Sequence, residues 1–322
     1  AETKAEDSLD LNWLAYSVAV ALSDKDWAIK IYKEAIWLNP EYDDAYYNLG
    51  VALLSEKKTG HAITQFEKAI KLKPNYFKAY NNIGNALVSE GNLDKAITYF
   101  QKAIGKHPSF VEAHFNIANA FTQSNQKEKA IHHFKRVTQL QHQNAEAHFK
   151  VGTLYYSQLD FMNAIKWFRQ SAELGHSTAQ YNLGVLYERG KGLPQSYQAA
   201  VQWYTKAAEQ NVALAQNNLA AMYLSGNGVP KDVGVAVKWL KSAANSGAPI
   251  AQKNLGSLYL NGKVLKQDYQ KALKWITHAS QAGHGEAHVL LGQIYFNGQG
   301  VPVDKVRGLM WFEIAGKHGV ES

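Results

Sequence analysis

Small and apolar residues recur along the chain at helical spacing, and their phase sets the elements. Residues 77–110 are typical. Tyr80, Ile83, Gly84 and Leu87 stand at i, i+3, i+4 and i+7, one face of a first helix, and Ala96, Phe100 and Ala103 mark a second. The facing pair is Ala96 and Phe100, and the small residue at position eight lets the two backbones approach. A glycine or alanine is followed twelve residues later by an alanine four times: Gly50 and Ala62, Gly84 and Ala96, Ala118 and Ala130, Gly152 and Ala164. The next small residue lies 22 further on, as from Ala62 to Gly84, so the period is 34. After Ala164 the steps become twenty and sixteen, through Gly184, Ala200, Ala220, Ala236 and Gly256, a period of 36. The pattern predicts helix–turn–helix pairs throughout, with the repeat changing between Ala145 and Gly175.

Four further series keep the 36-residue step: Trp167, Trp203, Trp239, Trp275 and Trp311; Tyr187, Tyr223, Tyr259 and Tyr295; Gly190, Gly226, Gly262 and Gly298; Asp232, Asp268 and Asp304. A glycine after a first helix supplies a left-handed C′ residue, and an aspartate a few residues on caps the second helix. The four extra residues of the longer period belong to that loop.

The first pattern resembles that of the tetratricopeptide repeat (TPR), aromatic-x2-Leu-Gly-x2-Tyr, then Ala-x3-Phe, then Ala and Pro, over most of residues 9–172. The units are 9–42, 43–76, 77–110, 111–144 and 145–172, the last shared with the second array. In the first unit Tyr16 stands where glycine is expected, and in the fourth Ala118 and His142 replace glycine and proline. The second pattern, over residues 160–319, resembles Sel-one-like repeats (SLR), cousins of the TPR. Together they imply an all-α fold, a right-handed α-α superhelical solenoid of helix-turn-helix repeats. Residues 1–8 (AETKAEDS) read as a disordered polar terminus and 320–322 as a tail. Trp13, Trp27 and Trp37 either cover the open first repeat or form a contact surface. The last helix, with Leu309, Trp311, Phe312 and Ile314, lacks a following repeat. The expectation there is a further chain segment or a partner, including self-association.

Composition narrows the chemistry. The chain has 322 residues and no cysteine, which excludes disulfides, thiolate metal sites and cysteine nucleophiles. No apolar run approaches the ~18 residues of a membrane span. Residues 1–50 hold four Lys/Arg against ten Asp/Glu, whereas residues 151–322 hold 16 basic against 10 acidic groups. That diffuse excess reads as a solvated surface, and without a recognised binding module nucleic acid is disfavoured. The start at Ala1 fits a cleaved export signal or a trimmed chain, and an exported or periplasmic setting is preferred to a cytoplasmic one.

Candidate catalytic motifs dissolve in the repeat. Gly226-Asn227-Gly228 and Gly298-Gln299-Gly300 follow helices and recur in phase, unlike a phosphate-binding loop after a strand. His284 and His288 lack a third ligand, and His132 and His133 are adjacent on a helix and point apart. No catalytic residue, metal site or cofactor is predicted, and the chain reads as a non-enzyme.

Ligand contact is expected on a second stripe, positions two, five, six and nine of each unit, which by resemblance to the TPR lines a concave groove. Position six carries Asn48, Asn82, Asn116, Lys150, Asn182, Asn218 and Asn254; position nine adds Asn85 and Asn119. An asparagine amide donates and accepts, so such a ladder suits a peptide backbone. It resembles the ladder in the TPR superhelix of O-linked N-acetylglucosamine transferase, which binds peptide main chain. Position five carries Tyr47, Phe115, Phe149 and Tyr181, read as an exposed apolar strip. The carboxylate clamp of chaperone-binding TPR domains is not matched. Its places hold Tyr47, Val51, Asn82, Glu112 and Asn116 in one frame, and Trp13, Ser17, Asn48, Lys78 and Asn82 in another. The resemblance implies a bacterial-type scaffold holding a protein or peptide segment, in an envelope or host-contact complex. The alternative is an accessory subunit binding polysaccharide, peptidoglycan or nucleic acid through the basic SLR half.

Overall fold

The computed structural model of the chain describes residues 2–21 and 24–317. Those residues form eighteen helices and no strand. They fall into two compact units, residues 1–154 and 155–322. The first unit holds α1 (Glu2–Ala21), α2 (Lys25–Leu38), α3 (Asp43–Ser55), α4 (Thr59–Leu72), α5 (Phe77–Ser89), α6 (Leu93–Lys106), α7 (Val111–Gln123) and α8 (Lys127–Leu140). The division falls within α9 (Ala145–Ser157). The second unit continues with α10 (Phe161–Glu173), α11 (Ser177–Arg189), α12 (Tyr197–Glu209), α13 (Ala213–Ser225), α14 (Val233–Asn245), α15 (Pro249–Asn261), α16 (Tyr269–Gln281), α17 (Gly285–Asn297) and α18 (Lys305–Lys317). No helix of the described residues is long and apolar enough to cross a membrane.

In the hairpins whose first helix carries glycine at position eight, a large residue of the second helix packs under it. Phe66, Phe100, Phe134 and Tyr204 are fully buried. A Cβ built on Gly84 would lie 2.4 Å from Phe100 Cε1, and one on Gly184 2.5 Å from Tyr204 Cδ1. Only glycine admits these rings at that separation. Alanine at position three, as Ala45, Ala79, Ala113 and Ala147, is wholly buried and completes the face.

In the second unit the loop chemistry follows the four series. Gly226 ends α13 in the left-handed conformation, φ 80°. Asp232 then caps α14, accepting from Val235 N at 2.9 Å, while its own N–H donates to Tyr223 O at 3.0 Å. The same closure joins Asp268 to Tyr259 and Asp304 to Tyr295. A Cβ on Gly228 would fall 2.4 Å from the Tyr197 carbonyl, so this glycine lets the loop lie on the preceding repeat's second helix. The Gly-x-Gly wording is a packing device.

Several expectations change. Residues 2–8 are helical rather than disordered: α1 begins at Glu2, and buried Ser8 donates its hydroxyl to Ala35 O at 3.1 Å. The small side chain lets α1 close on α2 despite the polar composition. Trp13 and Trp37 do not cover the first repeat, being 72% and 76% exposed. His142 leaves the turn before α9 intact, because Asn144 N still donates to Gln141 O at 3.0 Å. On α18, Trp311 and Phe312 are half-buried, and the exposed apolar residues are Val306, Leu309 and Met310. The side chain of Tyr16 and the tail 320–322 lie outside the described residues.

Candidate functional site

The second stripe is half-buried at every predicted position: Asn48, Asn82, Asn85, Asn116, Asn119, Lys150, Asn182, Asn218, Asn254, Tyr47, Phe115, Phe149 and Tyr181. Its asparagines tie one repeat to the one before. Asn48 Nδ2 donates to Asn12 Oδ1 at 3.0 Å, Asn82 Nδ2 to the Tyr47 hydroxyl at 3.2 Å, and Asn116 Nδ2 to Asn81 Oδ1 at 3.0 Å. In the second unit Asn254 donates to Asn217 at 2.8 Å, Asn217 to Asn218 at 3.3 Å, and Asn218 to the Tyr204 hydroxyl at 3.1 Å. Tyr204 in turn donates to Glu188. Burial and the Glu188 carboxylate push the Tyr204 phenol well above its ordinary pKa, so it stays a donor. Apart from Asn182, the position-six amides therefore spend a hydrogen on the scaffold itself. Lys150 departs from the series and pairs with Glu146 at 3.2 Å on its own helix.

The position-five aromatics are not a free strip. Tyr47 stacks on Tyr76 at 4.8 Å and meets Phe66 at 5.8 Å, Phe115 stands edge-on to Phe134 at 5.3 Å, and Tyr181 lies 5.9 Å from Tyr204. Tyr47 is thus held between the core ring Phe66 and Tyr76, while Phe115 and Tyr181 each meet the hairpin's core ring, and all three stay half-buried.

Two clefts open along this stripe in the first unit. One, of about 640 Å³, is lined by Asn12, Asp44, Tyr47, Asn48, Lys73, Asn75, Tyr76, Phe77, Lys78, Lys106 and His107. Within it Tyr76 donates to Asp44 Oδ1 at 2.6 Å, Lys73 pairs with Asp43 at 3.0 Å, and His107 lies over Phe77 at 4.5 Å. The other, of about 400 Å³, is lined by Asn81, Asn85, Val111, Glu112, Phe115, Asn116, Gln141, Asn144 and Glu146. Asn85 has no side-chain hydrogen bond among the described residues, nor has Asn119 or Asn182. The sequence reading names the stripe but misses Asn81, the loop residues Asn75 and Asn144, and the charged residues at position two as one set. Their recurrence at position two, Lys78, Glu112 and Glu146, was the available signal. A smaller cleft of about 270 Å³ in the second unit lies between Asn217, Ala220, Leu240, Asn254 and Leu258.

The predicted histidines fall elsewhere. His288 is buried with Nε2 3.2 Å from Ser280 O, and His284 precedes α17 as its cap residue. His132 and His133, read as pointing apart, have ring centroids 5.2 Å apart and edge-on, and His133 meets His114 across the hairpin with the Nδ1 atoms 2.9 Å apart, while His114 Nε2 lies 3.1 Å from Pro108 O. No group of three or more His, Cys, Asp or Glu placed to hold a metal occurs among the described residues.

The Sel1 repeat model matches residues 145–176, 177–212, 213–247, 249–284 and 285–320. The tetratricopeptide repeat model matches 43–76 and 77–110, and a further TPR repeat model 21–57 and 118–158. A search of curated proteins gives no match. Among solved structures, the chain is similar to a Sel1 repeat protein from Oxalobacter formigenes, with 31% identity over 73% of this chain and 98% of that one, TM-score 0.63. It also shares its fold with c5321, a protective antigen of uropathogenic Escherichia coli strains displaying an SLR fold, at 24% identity over 97% of this chain and 79% of that one, TM-score 0.60.

Proposed function

The chain belongs to the Sel1 repeat family and carries tetratricopeptide repeats ahead of its Sel1 repeats, and from that premise we propose that the first-helix face of residues 1–154 holds an extended segment of a partner protein. Repeats of both kinds are general protein-interaction scaffolds. The observation that carries the narrower reading is the pair of clefts along one stripe, lined by the half-buried rings Tyr47 and Phe115 and by amides with capacity left over. A position-six amide that has given one hydrogen to the scaffold still offers a second hydrogen and its carbonyl oxygen. That suits main-chain recognition, with Tyr47 and Phe115 as apolar anchors.

The test is selection from a displayed library of random 12-residue peptides against the intact chain. Enriched peptides are then measured by fluorescence anisotropy against the chain and against Asn85→Ala/Phe115→Ala, whose circular dichroism and melting are checked first. Loss of an anchor ring and an amide predicts binding weaker by about tenfold or more, since truncating a central aromatic costs roughly 2 kcal/mol. Equal binding to both forms, or no enrichment at all, contradicts the reading.

A further inference from the structure

The two clefts of the first unit differ in charge, and the difference is not cancelled by their neighbours. In the larger cleft Lys73 is engaged by Asp43, and Asp44, which accepts from the neutral Tyr76 hydroxyl, keeps its negative charge but is outnumbered by the two remaining lysines. Lys78 and Lys106 are exposed and enter no ion pair among the described residues. In the smaller cleft Glu146 pairs with Lys150 at 3.2 Å, whereas Glu112 is exposed and enters no ion pair among the described residues. The net charge is thus positive at one end, two lysines against Asp44, and negative at the other.

Lys78 and Glu112 hold the same place, position two, on α5 and α7. These helices are in direct contact through the Asn116–Asn81 bond of 3.0 Å. Neighbouring helices put the two poles on the order of 10 Å apart, about three residues of extended chain. Helix α5 serves both clefts: Lys78 faces the basic one, and Asn81 and Asn85, at i+3 and i+7, face the other.

We propose that this face selects a charge-polarised segment, with an Asp or Glu seated between Lys78 and Lys106 and a Lys or Arg three to four residues away at Glu112. The proposal rests on the groove reading above and adds to it an order of charges, and hence a direction in which the bound chain runs. Exposed poles of this kind sort partners and steer encounter more than they add affinity.

The experiment sequences the peptides enriched from the same random 12-residue library by the intact chain and by the charge-exchanged variant Lys78→Glu/Lys106→Glu/Glu112→Lys. All three side chains are exposed, and circular dichroism confirms the fold. The intact chain enriches peptides with an acidic and a basic residue three to four positions apart in one N-to-C order; the exchanged variant enriches the opposite order. The neutral variant Lys78→Gln/Lys106→Gln/Glu112→Gln binds the first set about tenfold more weakly, from a few exposed pairs. Identical peptides from both chains, uniformly acidic peptides, or no charge order overturn the proposal. Because the groove reading is scored on Asn85 and Phe115, peptides that need those residues but show no charge order leave that reading standing and remove this one. A library that enriches nothing removes both.

Discussion

At the scale of the residue, the asparagine series shows how one side chain serves packing and leaves capacity for a ligand. Asn116 donates to Asn81 Oδ1, and Asn81 is 6% exposed, so removing the donor leaves a buried acceptor without its partner. Asn116→Ala should lower stability by about 1 kcal/mol with no ligand present, read as a shift in the denaturant midpoint. An unchanged midpoint would make the bond incidental. The His114–His133 pair gives a pH prediction. Burial, then the neighbouring His114 and His132, lowers His133 from 6.5 to about 4, and burial also lowers His114. Two neutral rings satisfy the geometry: His114 Nε2–H donates to Pro108 O, and its Nδ1 accepts from His133 Nδ1–H. Protonation of His114 at Nδ1 sets two N–H groups face to face, while a charge on His133 is opposed mainly by its burial. The folded pKa lies below the unfolded value, so the unfolded chain takes up protons first. The pair's contribution is complete above about pH 6.5 and is lost as pH falls toward about 4. Melting followed across that window should show the fall, and His133→Phe should flatten it. The series of asparagines was legible from their phase. Their donors' destinations were not, because partners such as Tyr47 and Asn81 lie 35 residues earlier, across a contact that spacing alone does not orient.

At the scale of the element, the helices were legible because small, aromatic and capping residues agree in phase. What escaped was the role of plain alanine. Ala45, Ala79 and Ala113 are as deeply buried as any leucine, yet a single methyl adds little to an apolar pattern. Residues 2–8 escaped for the opposite reason: they are polar, but Glu, Lys and Ala favour a helix once Ser8 is placed on α2. Loop closure in the second unit rests on a cap and a carbonyl acting together. Asp232→Ala removes the bond to Val235 N and should cost about 1 kcal/mol, while Asp232→Asn, which keeps the acceptor, should cost little. Equal losses in the two variants would place the stabilisation in charge rather than in the cap.

At the scale of the whole molecule, the two compact units share one grammar and differ in how they use the stripe. In residues 155–322 the amides run into a continuous bonded chain from Asn254 to Glu188. In residues 1–154 the same positions border two clefts with unspent charges. The central claim is that ligand engages the first of these surfaces. Amide hydrogen exchange of the intact chain, with and without a peptide enriched from the library, tests it most directly. The account predicts slowed exchange in α3, α5 and α7, residues 43–55, 77–89 and 111–123, with residues 249–317 unchanged. Slowing confined to residues 249–317, or absent from the first-unit helices while the peptide is bound, would contradict it.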